Sequence, residues 1–114
     1  MRLELPYPPS VNTYWGFRGS RRFLTKKAVE FKKAVAQAFN GNIGFVSERL
    51  LCSVQLFSPD RRVRDIDNCI KPLLDALVQA GAMADDSQVD YLVVVREPVR
   101  AGGWCIVELQ PAKE

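Results

Sequence analysis

With 114 residues, 47% of them apolar and 25% charged, the chain has the size and balance of one compact domain spanning residues 1–114. It contains no histidine, which excludes His-dependent triads, His general bases and zinc sites built on imidazole. A net charge of +3 is too small by itself to imply a nucleic-acid partner, so the distribution of charge has to carry that argument.

In chain order, Leu3 to Tyr7 reads as a short strand stopped by Pro8-Pro9. Ser10 to Ser20 reads as a loop carrying Asn12, Tyr14, Trp15 and Gly16, with Gly19-Ser20 as a turn. Thr25 is placed to cap a helix running to about Phe39, whose apolar face is Ala28, Phe31, Val35 and Ala38 or Phe39. Asn40-Gly41-Asn42 ends it with residues that tolerate positive φ. Between Arg18 and Lys33 stand seven basic residues (Arg18, Arg21, Arg22, Lys26, Lys27, Lys32, Lys33) against the single acid Glu30. Such a run is either a solvated helix face or a phosphate-facing surface.

Leu50 to Phe57 alternates in part and reads as a strand, with Ser58-Pro59-Asp60 turning out of it. A second helix covers roughly Asn68 to Ala80, its buried stripe made by Ile70, Leu73, Leu74, Leu77 and Val78 and its end marked by Gly81. Proline is comfortable only in a first helical turn, so Pro72 argues for a late start with Asp67 or Asn68 as the cap. Asp90 to Glu97 and Trp104 to Gln110 are two further strands, expected to form a hairpin through Pro98 to Gly103. The expected order is β-α-β-α-β-β, an α/β (α+β) domain with a mixed or largely antiparallel sheet and two helices.

The longest apolar run, Tyr91 to Val95, is strand-sized, far short of the roughly 20 residues of a bilayer span. The start, Met1-Arg2-Leu3-Glu4-Leu5-Pro6, lacks an apolar signal region, so a cytoplasmic setting without a membrane partner is expected. Cys52, Cys69 and Cys105 have no metal-type spacing and fit reduced, mostly buried thiols. No glycine-rich phosphate loop is present, and no small-molecule cofactor is expected.

The chemistry concentrates in Arg61-Arg62-Val63-Arg64-Asp65-Ile66-Asp67-Asn68-Cys69-Ile70-Lys71. In an extended segment, side chains two residues apart leave on the same side, so Asp65 and Asp67 can face one hard cation. Asp67 or Asn68 could instead simply cap the helix. Lys71 follows Asp67 by one helical turn and projects toward the same place, as a surface ion pair or as a cation that offsets charge on a phosphate. Arg61, Arg62 and Arg64 are phosphate-binding residue types. Asp85-Asp86 comes after the helix. About 13 helical residues advance roughly 20 Å, and six extended residues span about the same distance back. The second pair therefore folds back along the helix, completes a neighbouring subunit's site, or is merely a turn. Acidic ligands beside arginines, without histidine, fit Mg²⁺-dependent phosphodiester hydrolysis.

These residues resemble the RusA family of Holliday-junction resolvases, small phage- and prophage-associated endodeoxyribonucleases. The resemblance lies in Leu5-Pro6-Tyr7-Pro8-Pro9-Ser10-Val11-Asn12, in Pro59 through Asn68, in Lys71, and in Gly81 through Asp85-Asp86-Ser87-Gln88-Val89. It implies a homodimer that binds four-way DNA junctions and makes paired symmetric nicks with Mg²⁺ or Mn²⁺, in recombination and repair. It places the family's catalytic, metal-holding aspartates on Asp65, Asp67 and Asp86, and its lysine on Lys71. Arg18, Arg21, Arg22, Lys26 and Lys27, with Arg61, Arg62 and Arg64, would then hold DNA phosphates. Trp15 or Tyr14 would stack on an opened base or serve as core or interface aromatics. The alternative from the same residues is a non-catalytic module for branched or single-stranded DNA, since the basic run suits a binder equally well. A small nucleotide-processing enzyme ranks last.

Overall fold

The computed structural model describes residues 1–112. The strands and helices in chain order are β1 (Arg2–Leu5), α1 (Val11–Tyr14), β2 (Trp15–Arg18), β3 (Arg21–Leu24), α2 (Lys26–Phe39), β4 (Leu50–Phe57), α3 (Ile70–Ala80), β5 (Val89–Glu97) and β6 (Trp104–Pro111), with a 3₁₀ turn at Asp86–Gln88 just before β5. A four-stranded sheet runs β1-β6-β4-β5, antiparallel except for the parallel β4–β5 pair, and β2–β3 form a separate hairpin. The expected mixed sheet is present.

The alternation in β4 explains the layering. Leu50, Cys52, Val54 and Leu56 are buried while the residues between them are half-exposed, so one face of the sheet meets the core and the other meets solvent. Leu3 and Leu5 of β1 and Cys105, Val107 and Leu109 of β6 share the core face. Against it lie Phe31, Val35 and Phe39 from α2 and Ile70, Leu73, Ala76 and Leu77 from α3. Each of the fully buried leucines contributes about 1.5–3 kcal/mol from apolar burial.

The α2 helix forms as its sequence predicts. Thr25 accepts the Ala28 N–H at 3.3 Å, and Asn40 ends the helix in the left-handed region at φ 49°. The α3 helix starts later than expected. Cys69 occupies the N-cap position without a side-chain cap bond, so neither Asp67 nor Asn68 caps the helix. The Ile70 N–H is instead taken by the Asp67 main-chain carbonyl at 3.1 Å. The late start puts Pro72 in the first turn, where its missing N–H costs no helical bond.

Two further expectations fail. The predicted loop from Ser10 to Ser20 holds one helical turn and most of the β2–β3 hairpin, with Gly19-Ser20 at its tip. The predicted hairpin of the last two strands does not form, because β4 lies between β5 and β6. Parallel pairing of β5 with β4 completes a β-α-β unit through α3, which leaves β6 to fill the place between β4 and β1. The Pro98–Gly103 connection arches past the end of β4, where the Arg100 N–H donates to the Ser58 carbonyl at 2.9 Å. Cys52, Cys69 and Cys105 are free and buried, as expected. No helix of the described residues is long and apolar enough to cross a membrane.

Candidate active site

The acid loop between β4 and α3 is held from both ends. Asp60 accepts from the Arg64 guanidinium at 2.7 Å and from the Arg62 main-chain N–H at 3.0 Å. Those bonds, the Arg64 guanidinium first, lower the Asp60 carboxyl to about 2. Farther along, the Val11 N–H donates to the Asn68 carbonyl at 2.7 Å, tying the segment after Pro8-Pro9 to the turn before α3. Arg96 of β5 donates to the Arg64 carbonyl at 2.5 Å. The stretch is therefore anchored by the main chain, while Asp65 and Asp67 remain exposed. With the helix cap at Cys69, the side chain of Asp67 is not consumed by capping.

A cleft of about 740 Å³ opens on one side of this loop, lined among others by Tyr7, Asn12, Lys27, Arg62, Arg64 and Asp65. It brings Asp65 to the same wall as Lys27 of α2 and two arginines of the acid loop. Three cations, Lys27, Arg62 and Arg64, stand there against the two carboxylates Glu30 and Asp65, a net positive wall that suits a phosphodiester better than a neutral ligand.

Asp86 comes back to the start of α3 in the same chain. Gly81 ends α3 in the left-handed region at φ 89°. Met83 then bridges Phe45, a close approach that requires Gly44, since a Cβ there would lie 1.8 Å from the Gly81 carbonyl oxygen. The buried Gln88 accepts from the N–H groups of Ala84 at 2.8 Å and Asp85 at 2.9 Å, and donates to the Glu48 carbonyl at 3.0 Å. Asp85 caps the 3₁₀ turn through the Ser87 N–H at 3.0 Å. Asp86 is thereby left to accept from Lys71 Nζ at 2.7 Å. The paired aspartates part company, Asp85 building the turn and Asp86 folding back along α3 to Lys71.

Lys71 also reaches Asp75 at 3.0 Å, a partner that the sequence reading missed although the four-residue spacing on a helix signals it. Asp86 first, and then Asp75, hold the Lys71 ammonium well above the ordinary lysine range. Lys71 is thus a permanent cation at physiological pH and not a base.

The donor set suits a hard cation: carboxylate oxygens, no histidine, and thiols buried away from the surface. Cys52 and Cys69 are pushed up to about 11 by burial, which removes them as ligands or nucleophiles. Among the described residues no three of the carboxylates converge on one point. The structure joins Asp86 to Lys71 and Asp65 to the cleft, and it leaves Asp67 in the turn between them.

The basic residues fall into separate groups. Arg18, Arg21 and Arg22 project from the β2–β3 hairpin and are exposed. Arg22 lies 3.9 Å from the centre of the Trp15 ring, and Arg18 sits 5.8 Å from that of Phe23, so aromatic faces position them. Lys26 pairs loosely with Glu30 at 3.8 Å, and Lys27 lines the cleft. Arg61 is exposed, Arg62 is close to Asp60 at 3.5 Å, and Arg64 serves the loop itself. Tyr14 is buried and packs edge-on to Trp15 at 5.4 Å, so of the two aromatics singled out in the sequence Tyr14 belongs to the interior.

A mixed α/β domain that gathers carboxylates, a lysine and arginines around one helix start, with no histidine, is built as a nuclease is built. The chain belongs to the RusA family: the model described as endodeoxyribonuclease RusA matches residues 6–107. It is 43% identical over 105 residues to the crossover junction endodeoxyribonuclease rusA of Enterobacteria phage HK97, covering 90% of this chain and 87% of that protein. It is 34% identical over 103 residues to the protein of the same name from Enterobacteria phage 82, with 89% and 86% covered. The crossover junction endodeoxyribonuclease RusA of Escherichia coli strain K12 is 36% identical over 107 residues, again with 89% and 86% covered.

Proposed function

We propose that this chain is a structure-selective endodeoxyribonuclease that resolves four-way DNA junctions by paired symmetric nicks. It would act with Mg²⁺ or Mn²⁺ as a homodimer, in recombination and repair within the cytoplasm of a bacterial or phage-infected cell. The observation that carries this reading is the return of Asp86 to Lys71, beside an acid loop whose Asp67 is not spent on capping. A non-catalytic binder gains nothing from carboxylates arranged to face phosphate, because they repel it.

The residues divide the work. Lys27 and Arg62, on the cleft wall, attract and align the phosphodiester, while Arg64 and Asp60 keep the loop in shape. Asp65, Asp67 and Asp86 would hold the cation, which supplies Lewis-acid polarisation of the phosphate and a more acidic water. Water attacks phosphorus in line and the bond to the leaving 3′-oxygen breaks. Lys71, always charged, keeps Asp86 in place and offsets negative charge growing on the phosphate oxygens. Arg18, Arg21 and Arg22 contact DNA arms by charge and shape and not by base sequence. Two active sites related by a two-fold axis would match the symmetry of the junction.

The test is a nicking assay on a synthetic mobile four-way junction, with Mg²⁺ or EDTA, for wild type and Asp65→Asn. Symmetric nicks that require both metal and Asp65 are expected. Binding without cutting under any divalent metal would make the protein a branched-DNA binder instead.

A further inference from the structure

The β2–β3 hairpin carries more aromatic surface than phosphate binding requires. Trp15 stands opposite Leu24, Gly16 opposite Phe23, Phe17 opposite Arg22 and Arg18 opposite Arg21. Opposed residues of an antiparallel pair share a face, so Trp15, Phe17 and Arg22 lie on one side of the ribbon and Phe23, Arg18 and Arg21 on the other. The ring contacts follow that division, with Arg22 over Trp15 and Arg18 near Phe23. Phe23 also packs over Gly16, where an added Cβ would lie 2.5 Å from its ring. Phe17 has no such cover. It is 67% exposed, the most exposed aromatic ring among the described residues, and it takes no part in the core or in the side chains packed against it.

From Trp15 to Leu24 the chain has three arginines and no acid. Rings set among arginines, with no carboxylate nearby, suit nucleobases, since the rings stack on base faces while the guanidinium groups hold the flanking phosphates. In a continuous duplex each base face is covered by its neighbours, and phosphate is what such a surface can reach. A branch point interrupts the stack and opens base faces. We propose that the hairpin is a stacking platform for the open bases of branched DNA, with Phe17 as the ring that takes a base. Positive charge attracts any DNA, whereas Phe17 adds a contact that only an interrupted stack can give. It is therefore the residue that favours a branch over a duplex. Stacking tolerates every base, which suits an element that reads structure. Tyr14 is buried and Trp15 lies under Arg22, so neither offers a free face as Phe17 does.

The platform is rooted in the wall that also holds Asp65. Thr25, just after β3, donates from its hydroxyl to the Thr13 carbonyl at 2.5 Å and from its N–H to the Tyr14 carbonyl at 3.1 Å. Those bonds close the base of the hairpin on α1, whose Asn12 and Thr13 line the cleft with Asp65. The proposal rests on the junction-resolving reading for its branched substrate, and goes beyond it in assigning what tells a branch from a duplex.

The test is an anisotropy titration of the full chain in EDTA, which prevents cutting, with a four-way junction and with a linear duplex of the same arm sequence. Wild type should favour the junction. Phe17→Ala should weaken junction binding by about 10-fold, the scale of one lost base–aromatic stack, and duplex binding by less than about twofold. Phe17→Trp should restore junction affinity, and all three proteins should share one circular dichroism spectrum and melting temperature, because the position lies outside the core. 5-Iodouracil at the branch point should cross-link on irradiation to the peptide that contains Phe17, and the same base in mid-arm should not. Equal losses on junction and duplex, no loss on either, or cross-linking from both positions alike would overturn the platform. Nicking of the same junction with Mg²⁺ separates the two ideas. Junction preference that depends on Phe17 without any nicking would sink the resolvase reading alone. Nicking with a junction preference that Phe17→Ala leaves intact would sink the platform alone.

Discussion

The acid loop with its returning Asp86 and the β2–β3 hairpin carry most of the charge that matters, and they are built by opposite means. The acid loop is fixed by bonds from Asp60, Val11 and Arg96 and by the buried Gln88 behind Asp86. The hairpin joins two four-residue strands, and its arginines lean on the exposed ring of Phe23 and on Trp15. Chemistry at one phosphorus atom needs groups held to within about half an ångström. Attraction of a DNA arm needs only positive charge on a surface that can yield. On the proposed reading, the more heavily bonded region is the one where a bond would break, and the more lightly bonded one is where DNA would be gathered.

That contrast predicts a separation of effects, and the largest should come from the rigid region. Asp67→Asn or Asp86→Asn should lower single-turnover nicking of a junction by about 1,000-fold or more, on the scale of removing a principal electrostatic element. Binding should be kept or tightened, since a negative charge facing phosphate is removed. A gel-shift titration beside the nicking assay reads both, and loss of binding in step with nicking would make these aspartates structural. Lys71→Ala should cost about 100-fold in nicking, with Lys71→Arg recovering part of it. The ammonium pKa is raised in the folded protein, so its charge is fully present below the ordinary lysine value and is lost only as pH rises through the raised one. Nicking between pH 6 and 9 should accordingly show no step that Lys71→Arg removes; such a step would assign Lys71 a proton-transfer role.

The rigid region is also the more legible of the two in the sequence. Asp65, Asp67 and Lys71 are marked by spacing along one loop and one helix, Asp86 is singled out from the Asp85-Asp86 pair only by the family resemblance, and Pro72 announces the late start of α3. The sequence leaves open whether Asp86 returns within the chain, because that depends on Gly44 admitting the Gly81 carbonyl and on Gln88 collecting main-chain groups from Ala84 and Asp85. The first of these joins residues some forty positions apart, which no local pattern encodes. The hairpin escapes a sequence reading because Trp15–Arg18 and Arg21–Leu24 are only four residues each and lie outside the core, so neither shows a buried face. A β5–β6 hairpin follows from short separation alone, and the sheet order overrides it.

The hairpin should yield a smaller and differently shaped loss. Changing Arg18, Arg21 and Arg22 together to Ala should weaken junction binding by about 10-fold at moderate salt. It should also lower the slope of log affinity against log salt by up to about 3, near 0.9 for each phosphate no longer neutralised. Nicking at saturating protein should change by less than about threefold, roughly the spread expected of residues outside the reaction. An equal fall in saturated nicking would show that the hairpin shapes the reacting centre and would erase the distinction between the two regions.

The smallest effect tests whether the acid loop's own clamp is tuned or merely present. Asp60 is lowered from an ordinary value of 3.8 to about 2, chiefly by Arg64, so its contribution is present above the unfolded value and lost as pH falls through the folded one. Between pH 5 and 9 the clamp is constant, and any rate change in that window has to come from elsewhere. Asp60→Asn keeps an acceptor for the Arg62 N–H but removes the charge that Arg64 answers. The pair is only partly covered and still screened by salt, so melting should shift little while nicking falls about threefold through a looser Asp65, a scale typical of a displaced support and far below that of a missing reacting group. Amide exchange at Arg62 to Asn68 should quicken in the same variant. If exchange and nicking both stay at wild-type levels, the loop is set by its main-chain anchors at Val11 and Arg96 alone, and Arg64 is as free to meet DNA as the proposal holds Arg61 and Arg62 to be.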